Sequence, residues 1–246
     1  MGKKPIYALS WTLALVWLSA CGQTGVRNFK LAQDKSFYRP TRILVYDFAV
    51  SDREVTVYRG IMRQQPSRKD PGERGRRIAA EVKDAMAGEV VAGLRQLGFA
   101  AERVSRGTPA SPGEWVIDGY FLAVDEGNPL SRLAVGFGNG ASRVDAQIYV
   151  YQGAEARSLL EFATYSNSGK LPGAMPTLGA GALVQGGVTV GMAATKAAVS
   201  RVTMYRSDVA RMAAASGEQA VHYLSEFFAR QGWVRADQVK KARIAY

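Results

Sequence analysis

The chain has 246 residues, 47% of them hydrophobic, a formal charge of +11, one cysteine and one histidine. That hydrophobic share supplies a real core. A lone cysteine excludes a disulfide framework, and a lone histidine leaves any His-built metal site or serine–histidine relay only His222 to stand on.

In chain order, Lys3 and Lys4 precede an apolar run from Ile6 to Ala20, shorter than the roughly 20 apolar residues a spanning helix needs. A short basic region, an apolar core and small residues before a cleavage point read as an export leader over residues 1–20. The segment Leu18-Ser19-Ala20-Cys21, with Gly22 behind it, resembles the lipobox of bacterial lipoproteins. The resemblance implies a diacylglyceryl group on the Cys21 thiol, cleavage before it and acylation of the new amino end. No cofactor is expected beyond those covalent chains. The alternative is an ordinary leader with a chance cysteine. Gly22 is not the aspartate linked to inner-membrane retention in enterobacteria, so the implied address is the outer membrane, periplasmic side. At about 0.8 kcal/mol per buried methylene, three acyl chains make detachment negligible. An exported chain rarely meets nucleic acid, so the basic balance points to anionic lipid head groups, lipopolysaccharide or peptidoglycan. A solvated basic face with no fixed partner is the plain alternative.

Residues 21–40 read as a lipidated tether, polar and aperiodic up to Pro40. The run from Ile43 to Val50 is nearly continuous in β-formers, as expected of a strand buried on both faces. Arg53 to Gly75 is charged and reads as an exposed loop. From Arg76 the period becomes helical, with Ile78, Val82, Met86, Val90, Leu94 and Leu97 on one stripe and Gly98 as the stop. Short strands are expected over 99–104 and, after a turn at 109–113, over 115–124.

Gly136-Phe137-Gly138-Asn139-Gly140 reads as a turn or bulge; it lacks the Lys-[Ser/Thr] ending of a P-loop and leads into a strand. Alternation over 143–151 sets Val144, Ala146, Ile148 and Val150 against Arg143, Asp145, Gln147 and Tyr149. A partner strand follows over 159–166. The final helix spans about 207–231, with Val209, Met212, Ala213, Ala220, Leu224, Phe227 and Phe228 on one stripe and Gly232 as its stop.

Between them, Leu171 to Thr195 contains 25 residues without a charge, six glycines and five alanines among them. Gly187, Gly191 and Thr195 place small residues at four-residue steps, as close helix packing in lipid requires. Pro172, Pro176 and the glycine density weaken any long helix. Three readings stand: a packed connection with a short helix, a segment on or in the membrane within an oligomer, or a low-complexity loop. The expected fold is α/β (α+β): a mixed or antiparallel sheet of four to five strands with two long helices on one face. It forms one domain over 41–235, with a Gly/Ala-rich insertion over 171–200 and a basic tail over 236–246.

Catalytic chemistry is not legible. His222 lies one helical turn from Glu218 and from Glu226 and reads as a solvated helix-face pair. Asp118 and Asp125, seven residues apart, fall on opposite sides of a regular strand and make no carboxylate pair.

The chain resembles a family of Gram-negative lipoproteins classed as a domain of unknown function, number four-four-one-zero. The resemblance rests on Val116-Ile117-Asp118-Gly119-Tyr120-Phe121, Asp125-Glu126-Gly127, the run Arg132 to Ser142, Ser168-Gly169 before Pro172-Gly173, and the final helix through Trp233. It covers roughly residues 40–235 and implies an address and a fold, with no established activity. A looser likeness, in element order only, is to the α/β domain of periplasmic lipoproteins that include the curli secretion channel subunit and penicillin-binding-protein activators. The expectation is a non-enzymatic outer-membrane lipoprotein that binds an envelope protein or a glycan. The alternatives are a subunit of an oligomeric membrane assembly or channel using 171–195, and a hydrolase of envelope polymers acting through scattered carboxylates.

Overall fold

The computed structural model describes residues 23–31, 37–51, 53–56, 71–127, 141–153, 158–168 and 207–244. Within them run β1 (Thr24–Leu31), β2 (Arg42–Tyr46), β3 (Val55–Thr56), α1 (Pro71–Gln96), β4 (Ala101–Val104), β5 (Glu114–Asp125), β6 (Arg143–Gln152), β7 (Leu160–Asn167) and α2 (Asp208–Arg230). The strands make one mixed sheet in the order β1-β7-β6-β5-β2-β4, with β3 also pairing to β5. Pairing is antiparallel from β1 through β5 and parallel among β5, β2 and β4.

Seven strands correct the expectation of four to five. Two of them form where the sequence reads as irregular: β1 inside the polar stretch before Pro40, and β3 inside the charged stretch after Arg53. β1 is hard to see because its ladder shifts register between Arg27 and Lys30, where Asn28 takes a positive φ of 52°. The bulge breaks the alternation that marks a strand.

Register assigns the faces. Trp115, Ile117, Phe121 and Val124 of β5 lie beside Val144, Ala146, Ile148 and Val150 of β6 in the main core. Both long helices pack there, as the two apolar stripes require. Aromatic contacts mark the seam, with Phe228 against Phe99 (4.5 Å between ring centres) and Tyr223 against Phe162 (4.8 Å). The helices meet through glycine: a Cβ on Gly93 would come within 2.7 Å of Val221, and one on Gly217 within 3.0 Å of the Met86 carbonyl oxygen.

α1 begins at Pro71, five residues ahead of the helical period read from Arg76, and takes in the end of the supposed loop. Proline suits that first position because its missing N–H would have had no intrahelical partner. Both helices stop as the sequence indicates. Gly98 and Gly232 take positive φ, and Phe99 and Trp233 donate their N–H groups to the carbonyls of Leu94 and Phe228. This closes the last turn with a residue free of the Cβ penalty. α2 opens on Ser207, whose Oγ accepts from the Ala210 N–H.

The C-terminal residues are built into the domain. Lys240, Ala242 and Arg243 donate backbone N–H groups to Ser225, Glu226 and Gln219 of α2. The Arg243 carbonyl accepts from Val26, and Ile244 bridges to the β1 edge in parallel. The basic stretch after residue 235 therefore lies over α2 through Ile244.

Candidate functional site

Helices cover one face of the sheet; among the described residues the other is only partly covered. The 105–113 connection returns across it. Tyr46 donates its hydroxyl to the Thr108 carbonyl, and Arg106 reaches the Asp118 carboxylate and the Gly119 carbonyl, both at 2.5 Å. Leu44 and Val116 are buried beneath it, outside the main core, which explains why β2 reads as apolar on both sides.

Beyond that connection the face is lined by tyrosine. Register places Asp118 opposite Tyr149, Tyr120 opposite Gln147 and Val116 opposite Tyr151. Tyr120 and Tyr149 have ring centres 6.1 Å apart at an interplanar angle of 27°, and Tyr149 and Tyr151 have theirs 6.3 Å apart at 25°. The three rings stack one after the next in a row running from β5 along β6. The Tyr120 and Tyr149 hydroxyls lie 3.5 Å apart. This contact, aided by burial, pushes the Tyr149 phenol up to about 12, so it stays a hydrogen-bond donor across the physiological range.

Charges on this face are paired within it. Arg106 holds Asp118, Arg27 holds Asp145 at 2.7 Å while its guanidinium lies over the Tyr165 ring, and Arg143 also pairs with Asp145. Glu161 accepts from the Ser158 hydroxyl, with Lys30 at 3.9 Å.

Asp118 and Asp125 are on the same side, not opposite sides as a regular strand predicts. The β5–β6 ladder shifts register between Phe121 and Ala123, which makes Leu122 the extra residue of a bulge and reverses the parity beyond it. Asp125 stands opposite Arg143, six β6 positions from Tyr149, so at about 3.4 Å per residue the two carboxylates are roughly 20 Å apart. They still make no pair.

Of the motif residues behind the family resemblance, Asp125, Glu126, Gly127, Ser142 and Ser168 meet at one end of the sheet. Asp125 accepts from the Gly127 N–H, Glu126 pairs with Arg74 of α1, and the Ser142 hydroxyl donates to the Glu126 carbonyl. Ser142 and Ser168 exchange two further hydrogen bonds. These groups tie the exits of β5 and β7 to the entry of β6, a backbone-fixing role.

His222 is not a solvated pair. Its imidazole is nearly buried together with the Glu218 carboxylate, 3.6 Å away, under the C-terminal residues, and its pKa is pushed down from the ordinary 6.5 to about 4 by burial and by Lys240 and Arg243. Burial holds the Glu218 carboxyl above the usual carboxylate range, while Lys240 and Arg243 oppose it. A cavity of about 240 Å³ lies beside them, lined by Glu89, Gly93, His222, Ser225 and Lys240. Among the described residues no group of three or more His, Cys, Asp or Glu could hold a metal ion, and no helix is long and apolar enough to cross a membrane.

Cys21, the glycines Gly136, Gly138 and Gly140, and Gly187 and Gly191 of the charge-free segment lie outside the described residues. The tyrosine row was missed in the sequence. Alternation over 143–151 puts Tyr149 and Tyr151 on one side, but Tyr120 joins them only through the β5–β6 register.

An α/β domain with one helix-covered face and one tyrosine-lined face is the class that this geometry defines. Residues 43–184 match the family model described as Domain of unknown function (DUF4410), and the chain belongs to that family. Comparison with curated proteins finds no match. Among solved structures the chain is similar to a leucine-to-methionine variant of the PelC dodecamer from Paraburkholderia phytofirmans in space group C2, at 14% identity and a TM-score of 0.31, covering 60% of this chain and 82% of that one. It is likewise similar to the PelC dodecamer from the same organism in space group P6, at 13% identity and a TM-score of 0.32, covering 60% and 83%. Nothing about this chain's activity or assembly follows from likeness of that extent.

Proposed function

We propose that the protein is a non-enzymatic binding component of the cell envelope, anchored through acyl chains on Cys21 to the periplasmic side of the outer membrane, that meets its partner on the tyrosine-lined sheet face. The row Tyr120, Tyr149 and Tyr151 carries this reading. Aromatic rings are large, stiff contact surfaces that cost little side-chain entropy to order, and a row of them left outside the core favours recognition. Mass spectrometry of the purified protein tests the anchor: the reading requires a triacylated Cys21 at the amino end. Photo-crosslinkers at Leu122 and Tyr151, with a control at Arg77 on the outer side of α1, test the face. The reading requires a defined adduct from the first two positions and none from the third. Equal yields from all three would remove it.

A second reading, a subunit of a homo-oligomeric envelope assembly, draws support from the β1 edge. Phe29 and Leu31 are each 45% exposed there. Exposed apolar side chains grouped on an edge strand favour contact between copies. Sedimentation of the lipidated protein in detergent should show a defined oligomer, lost in Phe29→Ser/Leu31→Ser; a wild-type monomer contradicts this reading.

A further inference from the structure

We infer that the C-terminal segment 239–244 is an acid-released latch on the β1 edge, held shut by neutral His222 through the Gln219 amide and opened when His222 takes up a proton. Its attachments to α2 run through side chains. Lys240 and Ala242 donate their N–H groups to the Ser225 hydroxyl and the Glu226 carboxylate at 3.4 and 2.7 Å, and Arg243 donates to Gln219 Oε1 at 2.9 Å. Beyond α2 the segment reaches the sheet, where the Arg243 carbonyl accepts from Val26 at 2.7 Å and Ile244 bridges to the same residue. It lies so close that a Cβ on Gly25 would come within 2.5 Å of the Arg243 carbonyl oxygen.

The first ground is a relay whose polarity is fixed at one end. A main-chain N–H only donates, so the Gln219 atom facing Arg243 is the amide oxygen, and the Gln219 nitrogen is left facing His222 Nδ1 at 3.4 Å. An amide NH2 only donates as well. Nδ1 is therefore the bare acceptor, and the ring proton sits on Nε2, 3.6 Å from Glu218. A second proton would go on Nδ1 and set two donors against each other. Turning the Gln219 amide over relieves that clash but points its NH2 at the Arg243 N–H, and the bond that closes the latch is lost. Gln219 is buried, so leaving the clash unrelieved carries the cost of an unpaired buried donor.

The second ground is charge. Burial first, then Lys240 and Arg243, hold the imidazole at about 4 against its ordinary 6.5, while the Lys241 carbonyl opposes them. Of the other groups around the ring, the Glu218 carboxyl lies on α2, Glu89 on α1, and Asp237 on the C-terminal turn, where Arg235 holds it. Both cations that disfavour the charged ring ride on the segment itself. Opening removes them together with the burial, so protonation and release favour one another. Release leaves the Val26 N–H unpaired on an edge strand that also carries exposed Phe29 and Leu31, the state in which a sheet edge accepts another strand.

Native-state hydrogen exchange of the purified full-length protein, with each rate corrected for the intrinsic effect of pH, reads the latch at the Val26, Ala242 and Arg243 amides. Between about pH 7.5 and about pH 5 their protection in the wild type should fall roughly thirtyfold relative to that in His222→Gln, the ratio implied by a ring that titrates near 4 when covered and near 6.5 when released. The comparison cancels Glu218, whose raised pKa favours the closed state in acid. Urea below the unfolding transition should leave these three amides unchanged while lowering protection at Ile148, paired on both sides within the sheet, because release exposes little surface and unfolding exposes much. Gln219→Glu offers an acceptor to Nδ1–H and to Arg243 at once, so it should keep the three amides protected at about pH 5. Thermal melting of each variant reads folding separately. Equal falls in the wild type and His222→Gln, a urea dependence matching that of Ile148, or a folded Gln219→Glu variant that opens like the wild type overturns the inference.

Discussion

Replacing His222 with glutamine should flatten the acid side of the stability profile. In the folded protein burial, Lys240 and Arg243 lower the imidazole from its ordinary 6.5 to about 4. Glu218 faces it on α2, and Glu89 of α1 and Asp237 of the C-terminal turn line the same cavity. A base whose folded pKa is depressed adds nothing to the pH dependence above 6.5, where both states are neutral. Between 6.5 and about 4 the unfolded chain takes up a proton that the folded chain refuses, so stability falls with pH. Below about 4 both states are protonated and the loss levels off. At about 1.36 kcal/mol per unit, the shift amounts to roughly 3 kcal/mol at pH 4. Glu218 works the other way. Its raised pKa makes the folded state the better proton acceptor, which adds stability as pH falls through its folded pKa toward 4.5. The wild-type loss is therefore smaller than the histidine contribution alone, and the comparison with His222→Gln isolates that contribution. Urea unfolding of both proteins at about pH 7.5 and about pH 4 measures it. The wild type should lose more stability than the variant, by up to roughly 3 kcal/mol. Equal losses would falsify the burial of a neutral imidazole beneath the C-terminal residues.

Gly119→Ala should lower stability by about 1–3 kcal/mol in the same assay, because its Cβ would come within 2.5 Å of both the Gln147 carbonyl oxygen and the Phe48 ring. Trp115→Ala, in the aromatic seam with Phe227, Phe228 and Trp233, should cost about 3–5 kcal/mol. An absorbance titration at alkaline pH should show one phenol ionising near 12, and Tyr120→Phe should lower it, since the Tyr120 hydroxyl is the largest cause of the rise. Hydrogen exchange should find the Val26 and Arg243 amides protected, and deleting residues 239–246 should release both β1 and the exposed side of α2.

How much of this was legible depends on the range of the interactions involved. The stripes of α1 and α2, the alternation of β6 and the stops at Gly98 and Gly232 are local, and the sequence shows them directly. The buried run at Ile43 to Val45 correctly implies cover on both faces, without saying that residues 105–113 supply the second cover. β1 escaped notice because its bulge at Asn28 interrupts the period and its pairing is with β7, more than a hundred residues away. The parity of Asp118 and Asp125 turns on a single extra residue in the ladder, Leu122, which no pattern in β5 announces. His222 looks solvated on its own helix because its cover arrives from Lys240 to Arg243. The tyrosine row needs two strands in register before it exists at all.

Hydroxyl-radical footprinting of the tyrosines, in intact envelopes and in the purified protein, puts the tyrosine-lined face directly to the test. Tyr120, Tyr149 and Tyr151 should be oxidised readily in the purified protein and protected in the envelope, while Tyr38, 38% exposed and outside the row, is labelled in both. Equal labelling of all four in the two settings would mean that nothing in the envelope occupies that face.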